Sequence, residues 1–304
     1  MAFIDKAKAG GENIILVDSG RLYPDPRSAG AAKKDKSELL GRVYRKMGMT
    51  AVNVSDWELQ HGVNFLKREA TKGLPLTSAN LTDLKGSLVF PNYRIKKVDG
   101  VRIGFFGLMR PELDRKLAEK EKITVKDPIA AALATVKKMS RKADVIILLS
   151  DLGYQTDRQV AAKVGGIHFI MDSRDNFFSY PQKSENTFLL TSVKDGKGVV
   201  RLRLNIENTA KPFTEDETDR IRQQIRDLEL NIQSFQNNPP KHVETDRMLV
   251  QMRSQRAQLQ QKLTNPGSRK NGNIFSWNSI ILEPDIQEDR TVSEWIKKAG
   301  FERD

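Results

Sequence analysis

Ala143-Asp-Val-Ile-Ile-Leu-Leu-Ser-Asp-Leu-Gly153 is the stretch from which the rest of the chain is most easily read. After its one leading acid, Asp144–Leu149 is an unbroken run of β-branched residues and leucine. A strand of that composition is covered on both faces, the condition of an interior strand in a parallel sheet packed by helices. Working outward, Pro128–Arg141 places Ile129, Ala132, Val136 and Met139 on one helical face. Thr156–Val164 gives another helix, followed by a strand at Ile167–Met171. The same alternation runs back toward the start: Asn13–Val17, Ala51–Val54 and Leu74–Ala79 read as strands, Ser37–Met47 and Leu59–Thr71 as helices. Two hairpins are predicted, Ser87–Lys97 with Val101–Leu108 about Asp99-Gly100, and Thr187–Ser192 with Gly198–Ile206 about Asp195-Gly196. Mixed βα units and hairpins predict an α/β chain built as a two-sheet sandwich with helices outside, an α/β/β/α arrangement.

The pattern changes at Thr214-Glu-Asp-Glu217, a capping box with acids where the helix dipole favours them. Ile221, Ile225, Leu228, Ile232 and Phe235 follow at heptad spacing, and Asn237-Asn-Pro-Pro240 breaks the helix. A second helix carries Leu249, Met252, Arg256, Leu259 and Leu263 before Asn265-Pro-Gly267. Two such helices joined by a short Pro turn predict an antiparallel αα-hairpin. Its two seams either face each other and the domain, or form an arm that docks a partner. The expected division is 1–210 as the α/β domain, 213–265 as the hairpin, and 270–304 as a strand (Phe275–Leu282) and helix (Thr291–Ala299) returning to the main domain.

Bulk properties exclude several classes. The chain has no cysteine, so disulfides, cysteine-ligated metal and thiol catalysis are absent. It has only three histidines: His61, His168 and His242. Its net charge is +12, but aromatic residues do not interleave the basic clusters at Lys33–Lys36 and Arg110–Lys126, which argues against nucleic acid. No apolar run approaches the roughly 18 residues of a membrane span, and Met1-Ala-Phe-Ile-Asp-Lys6 lacks the apolar core of a secretory signal.

Several segments, in order, resemble the amino-terminal domain of 5′-nucleotidases within the calcineurin-like metallophosphoesterase superfamily. Asn13-Ile-Ile-Leu-Val-Asp-Ser-Gly-Arg21 is similar to a strand ending in Asp-x-Gly-Asp. Met49-Thr-Ala-Val-Asn-Val-Ser-Asp-Trp-Glu-Leu-Gln-His-Gly62 resembles the segment ending in Gly-Asn-His-Glu-Phe-Asp-x-Gly. Pro75–Leu81 and the Tyr93–Leu108 hairpin match the strands that follow. Ala143–Gly153 is similar to the strand ending in Ser-His-x-Gly, and Gly166–Asn176 to Gly-Ile-Asp-x-Ile-x-x-Gly-His-x-His.

The resemblance implies two divalent cations held by Asp, Asn and His at strand ends, activating water and stabilising phosphate charge. Here the matching positions are Arg21, Asp56, Trp57, Asp151, Arg174 and Asn176. The family's opening Asp-x-His motif would precede residue 13. The expectation is therefore no catalysis and no metal, with Arg21 and Arg174 paired to Asp56, Asp151 or Asp175 in place of cations. The alternative is an active metal-dependent phosphoesterase whose Mn²⁺, Mg²⁺, Zn²⁺ or Ca²⁺ is held by Asp56, Asp151, Asp172 and Asp175. An inactive domain implies a binding or assembly module, with a protein partner or self-association through the hairpin seams or the basic surface. The resemblance also favours the periplasm or cell surface. The missing signal leaves the cytoplasm open.

Overall fold

The computed structural model describes residues 2–27, 34–175, 180–191, 198–237, 245–264, 272–282 and 288–301. The chain divides into two compact units, residues 1–199 with 281–304, and residues 200–280.

The first unit runs α1 (Ala2–Ala9), β1 (Val17–Asp18), α2 (Lys34–Met47), β2 (Ala51–Asn53), a 3-10 turn (Glu58–His61), α3 (Val63–Thr71) and β3 (Leu76–Thr77). It continues through β4 (Leu81–Asp83), β5 (Tyr93–Val98), β6 (Val101–Met109), α4 (Arg115–Glu121), β7 (Ile123–Val125) and α5 (Pro128–Met139). Then come β8 (Val145–Asp151), α6 (Tyr154–Lys163), β9 (Phe169–Asp172), β10 (Gln182–Ser184) and β11 (Thr187–Thr191).

One sheet has the order β1-β2-β3, all parallel. The larger has the order β10-β11-β9-β8-β6-β5, parallel inside and antiparallel at both edges. β8 lies in its interior, with every residue from Val145 to Asp151 buried. Ile146 and Leu148 share a core with Ala132, Val136 and Met139 of α5 and Val160 and Ala161 of α6. Val52, Val54 and Leu76 pack with Phe65 and Leu66 of α3 in the second core. The two sheets approach closely at Gly107: a Cβ there would collide with Asn53 Oδ1, so only glycine fits. The Asn53 amide donates to the carbonyls of Ser19 and Leu108, both at 2.9 Å, and so ties the end of β1 to β6.

The second unit contains β12 (Gly198–Asn205) for nearly all its length, β13 (Phe213–Glu215), α7 (Thr218–Asn237), α8 (Thr245–Thr264) and β14 (Asn273–Ile281). Its sheet has the order β12-β14-β13. The buried Asn273 side chain accepts from the amides of Glu207 and Asn208 and donates to the carbonyls of Asn208 and Lys211. α7 and α8 pack on each other. Arg256 lies opposite Glu229 at 3.9 Å, nearly symmetric about the connection, as an antiparallel pair requires. Ile221, Ile225 and Ile232 are buried, while Leu228, Phe235, Leu249, Met252, Leu259 and Leu263 are half-buried. After β14 the chain ends in α9 (Arg290–Lys298) of the first unit.

Three expectations are corrected. The hairpin about Asp99-Gly100 forms, but β11 turns back on β10 through Glu185, and β12 joins the second unit's sheet. Strand periodicity marks a strand without choosing its partner, so this pairing had no local signal. Asp195-Gly196 lies outside the described residues. The strand expected to return to the main domain is β14, which pairs with β13 in the second unit instead. Residues 81–83, bare of any predicted element, pair with β7.

Candidate functional site

Parallel strands present their carboxyl ends on one side of a sheet, and crevices form there. In the larger sheet, Met109 is in register with Asp151, and Ser150 with Asp172, so β6, β8 and β9 end together. β1 and β2 end in the turns that carry Arg21 and Asp56. The structure thereby gathers Arg21, Asp56, Asp151 and Arg174 from four separate strand ends.

Asp151 is the centre of the group and is fully buried. Arg21 Nε donates to its Oδ1 at 3.1 Å, and Arg174 Nη2 to its Oδ2 at 2.9 Å. Arg174 Nε also donates to the Asp151 carbonyl at 3.0 Å, which fixes the guanidinium plane. The same Nη2 lies 3.5 Å from Asp56 Oδ1, and Arg110 Nη2 donates to Asp56 Oδ2 at 2.9 Å. Burial pushes the Asp151 carboxyl up to about 6, against the pull of Arg174 and Arg21 and with the help of Asp56. It is therefore mainly ionised at neutral pH, as two guanidinium partners require.

Arg21 reaches Asp151 through a distorted turn. Its φ is 65°, a left-handed backbone that side-chain-bearing residues rarely adopt, and Gly20 before it has φ 107°. The Glu58 carboxylate stabilises this turn by accepting from the amides of Arg21 and Tyr23, both at 3.3 Å, and of Ser55 at 2.7 Å. The Ser55 hydroxyl donates to it at 2.6 Å. Burial raises Glu58 to about 7. Trp57 does not bond to this group through its indole; its ring lies 4.7 Å from the Arg21 guanidinium, a cation–π contact.

Asp172 and Asp175 have other work. Asp172 accepts from the amides of Arg174 at 2.7 Å and Asp175 at 3.3 Å. Asp175 accepts from the Tyr154 amide at 2.7 Å, at the start of α6. Burial pushes Asp172 up to about 7, with Asp175 and Asp151 adding to the effect against its backbone bonds. Asn176 lies outside the described residues. Among the described residues, no group of three or more His, Asp or Glu side chains is placed to hold a metal ion. His61 and His168 stand apart: His61 Nε2 pairs with the Ser37 hydroxyl at 2.8 Å, and His168 Nδ1 accepts from the Ile146 amide. His61 is half-buried, and its ring also meets Phe65.

Sequence reasoning missed Arg110 and Asp157. Arg110 follows directly on β6, and its position at a strand end beside Asp151 was the available signal. Asp157 sits on α6, fully buried, accepting from the Ser150 hydroxyl at 2.6 Å, and burial pushes its carboxyl well above the usual range. A lone acid on a helix carries no mark of such burial.

This arrangement of sheets is also found in solved structures. The chain superimposes on the sulfate thiohydrolase SoxB of Thermus thermophilus with a TM-score of 0.60 and 20% identity, over 67% of this chain and 39% of that one. A 5′-nucleotidase precursor, also from Thermus thermophilus, gives a TM-score of 0.56 at 20% identity, over 68% of this chain and 45% of that one. The fold is that of the 5′-nucleotidase-type metallophosphoesterases. By sequence, the chain is 25% identical over 189 residues to a 5′-nucleotidase of Diplobatis ommata, covering 60% of this chain and 32% of the relative. It is 32% identical over 124 residues to an uncharacterized metallophosphoesterase of Bacillus subtilis, covering 40% of this chain and 26% of the relative. The chain thus spans about a third or less of the length of these curated relatives. No protein-family model matches it.

Proposed function

We propose that this chain is a catalytically inactive 5′-nucleotidase-like domain that serves as a binding or assembly module. The observation that carries the reading is the set of ion pairs Arg21–Asp151, Arg174–Asp151 and Arg110–Asp56 at the strand ends. A divalent cation does not fit this donor set. The Asp56 and Asp151 oxygens are engaged by guanidinia, and three positive charges stand against two negative ones. Arginine is no ligand for such ions and repels them. The carboxylate-metal alternative needs Asp56, Asp151, Asp172 and Asp175 all released from these partners before they converge on an ion.

The partner of such a module is a protein or a second copy of this chain. The seams of α7 and α8 are taken up in packing, so the outward face of the hairpin, with exposed Leu230 and Val250, is the surface offered for contact. Resemblance to exported 5′-nucleotidases favours the periplasm or the cell surface for this work. No described helix is long and apolar enough to cross a membrane.

The test is metal content after incubation with Mn²⁺, Mg²⁺ or Zn²⁺, with a phosphodiester assay on the same sample. The proposal expects less than about a tenth of a metal per chain and no turnover. One or two bound ions with turnover would overturn it.

A further inference from the structure

We propose that the open cleft between α2 and α9 binds a phosphate-bearing ligand through Arg42, Arg45, Lys72 and Lys298. The cleft has a volume of about 390 Å³, enough for a small ligand, and these four cations line it together with Glu38 and Trp295. It shares no residue with the arginine cluster at the strand ends and does not depend on the function proposed above.

Charge and geometry both point to a dianion. Arg45 and Lys72 hold one buried acid between them, Glu69, at 2.5 and 2.8 Å. Arg42 and Lys298 have no carboxylate partner among the described residues. Four cations against Glu38 and Glu69 leave two positive charges around the cleft. A phosphomonoester at neutral pH carries nearly two negative ones. The Arg42 guanidinium carbon lies 3.6 Å from the centre of the Trp295 ring. Stacking holds the guanidinium plane, so its donors are oriented before a ligand arrives, which reduces the ordering cost of binding. Guanidinium forks match phosphate oxygens in pairs, and the two lysines add mobile charge. Leu39, Trp295 and Ala299 make up the apolar part of the lining, and the four cations supply the groups that recognise the phosphate. The phosphate can come from a soluble ester or from an anionic lipid headgroup.

The experiment titrates the purified chain with inorganic phosphate at constant ionic strength, reading tryptophan fluorescence and heat. In parallel, it measures sedimentation with phosphatidylcholine vesicles with and without phosphatidic acid. Saturable phosphate binding identifies a soluble source, and binding only to phosphatidic acid vesicles a lipid one. In either case the double variant Arg42→Gln/Lys298→Gln weakens binding at least tenfold. The charge-matched Lys96→Gln/Lys97→Gln on β5 leaves it unchanged. Trp295→Phe abolishes the fluorescence response while the heat remains, and a thermal melt of each variant shows that it is folded. The proposal is overturned if neither ligand binds, or if the Arg42/Lys298 variant is folded and binds as tightly as the parent.

Discussion

Glu58 and Asp151 are both fully buried carboxylates within reach of Arg21, and the fold uses them in opposite ways. Glu58 takes only backbone amides and the Ser55 hydroxyl, and holds a turn in shape. Asp151 takes two guanidinium groups and joins three strand ends. A carboxylate satisfied by neutral donors recovers little of its lost hydration as charge, so burial drives Glu58 to about 7. Asp151, met by two cations, lies lower at about 6, part of that gap being the lower ordinary value of an aspartate. The resemblance read from the sequence places Glu58 at an acid of the 5′-nucleotidase motif and Asp151 at its histidine. A turn-holding acid thus stands beside a charge-paired one, two uses of a buried carboxylate within reach of the same arginine.

The largest expected effect comes from Asp151→Ala. It strands two mostly buried guanidinia, and we expect a loss of about 3–5 kcal/mol in denaturant unfolding. A loss below about 1 kcal/mol would break the comparison, because Asp151 would then not be the centre of the cluster. Next is Glu58→Gln, which keeps the shape but turns a donor toward the Tyr23 amide, at a cost of about 1–3 kcal/mol. This change also carries a pH signature. The folded-state pKa of Glu58, about 7, lies above the ordinary value of 4.5, so between those values the folded state holds more protons than the unfolded chain. The native chain therefore loses stability as pH rises across that window. Glu58→Gln should flatten that slope in melts taken at pH 4.5, 6 and 7.5, though Asp172 and Asp151, raised for the same reason, leave part of it. An unchanged slope would mean that Glu58 is ionised throughout. Smallest is Arg110→Ala: its pair with Asp56 is partly open to solvent, and Arg174 still neighbours that carboxylate. We expect about 0.5 kcal/mol or less, weakening further in salt. A larger loss would extend the cohesive cluster from Asp151 to Asp56.

Much of this was legible in the residues, and the gaps have physical causes. The Val145–Leu149 run announced an interior strand because only double coverage tolerates so unbroken an apolar stretch. The seam of α7 and α8 showed in its spacing, since helical burial repeats with the turn. That arginines and aspartates stand together at the strand ends could be read from the residues, but the identity of each pair could not. Arg21 and Asp151 are 130 residues apart, and nothing local couples them.

The sequence by itself determined which segments are strands and helices, that the sandwich class applies, and which strand ends carry charge. These follow from periodicity and residue type, properties that a short window contains. Only the tertiary structure decided that β12 and β14 share a sheet, that Arg110 reaches Asp56, and that Asp157 is buried beside Ser150. The first depends on long-range register, the second on two strand ends brought together by packing, and the third, though only seven residues apart, on α6 lying against the sheet.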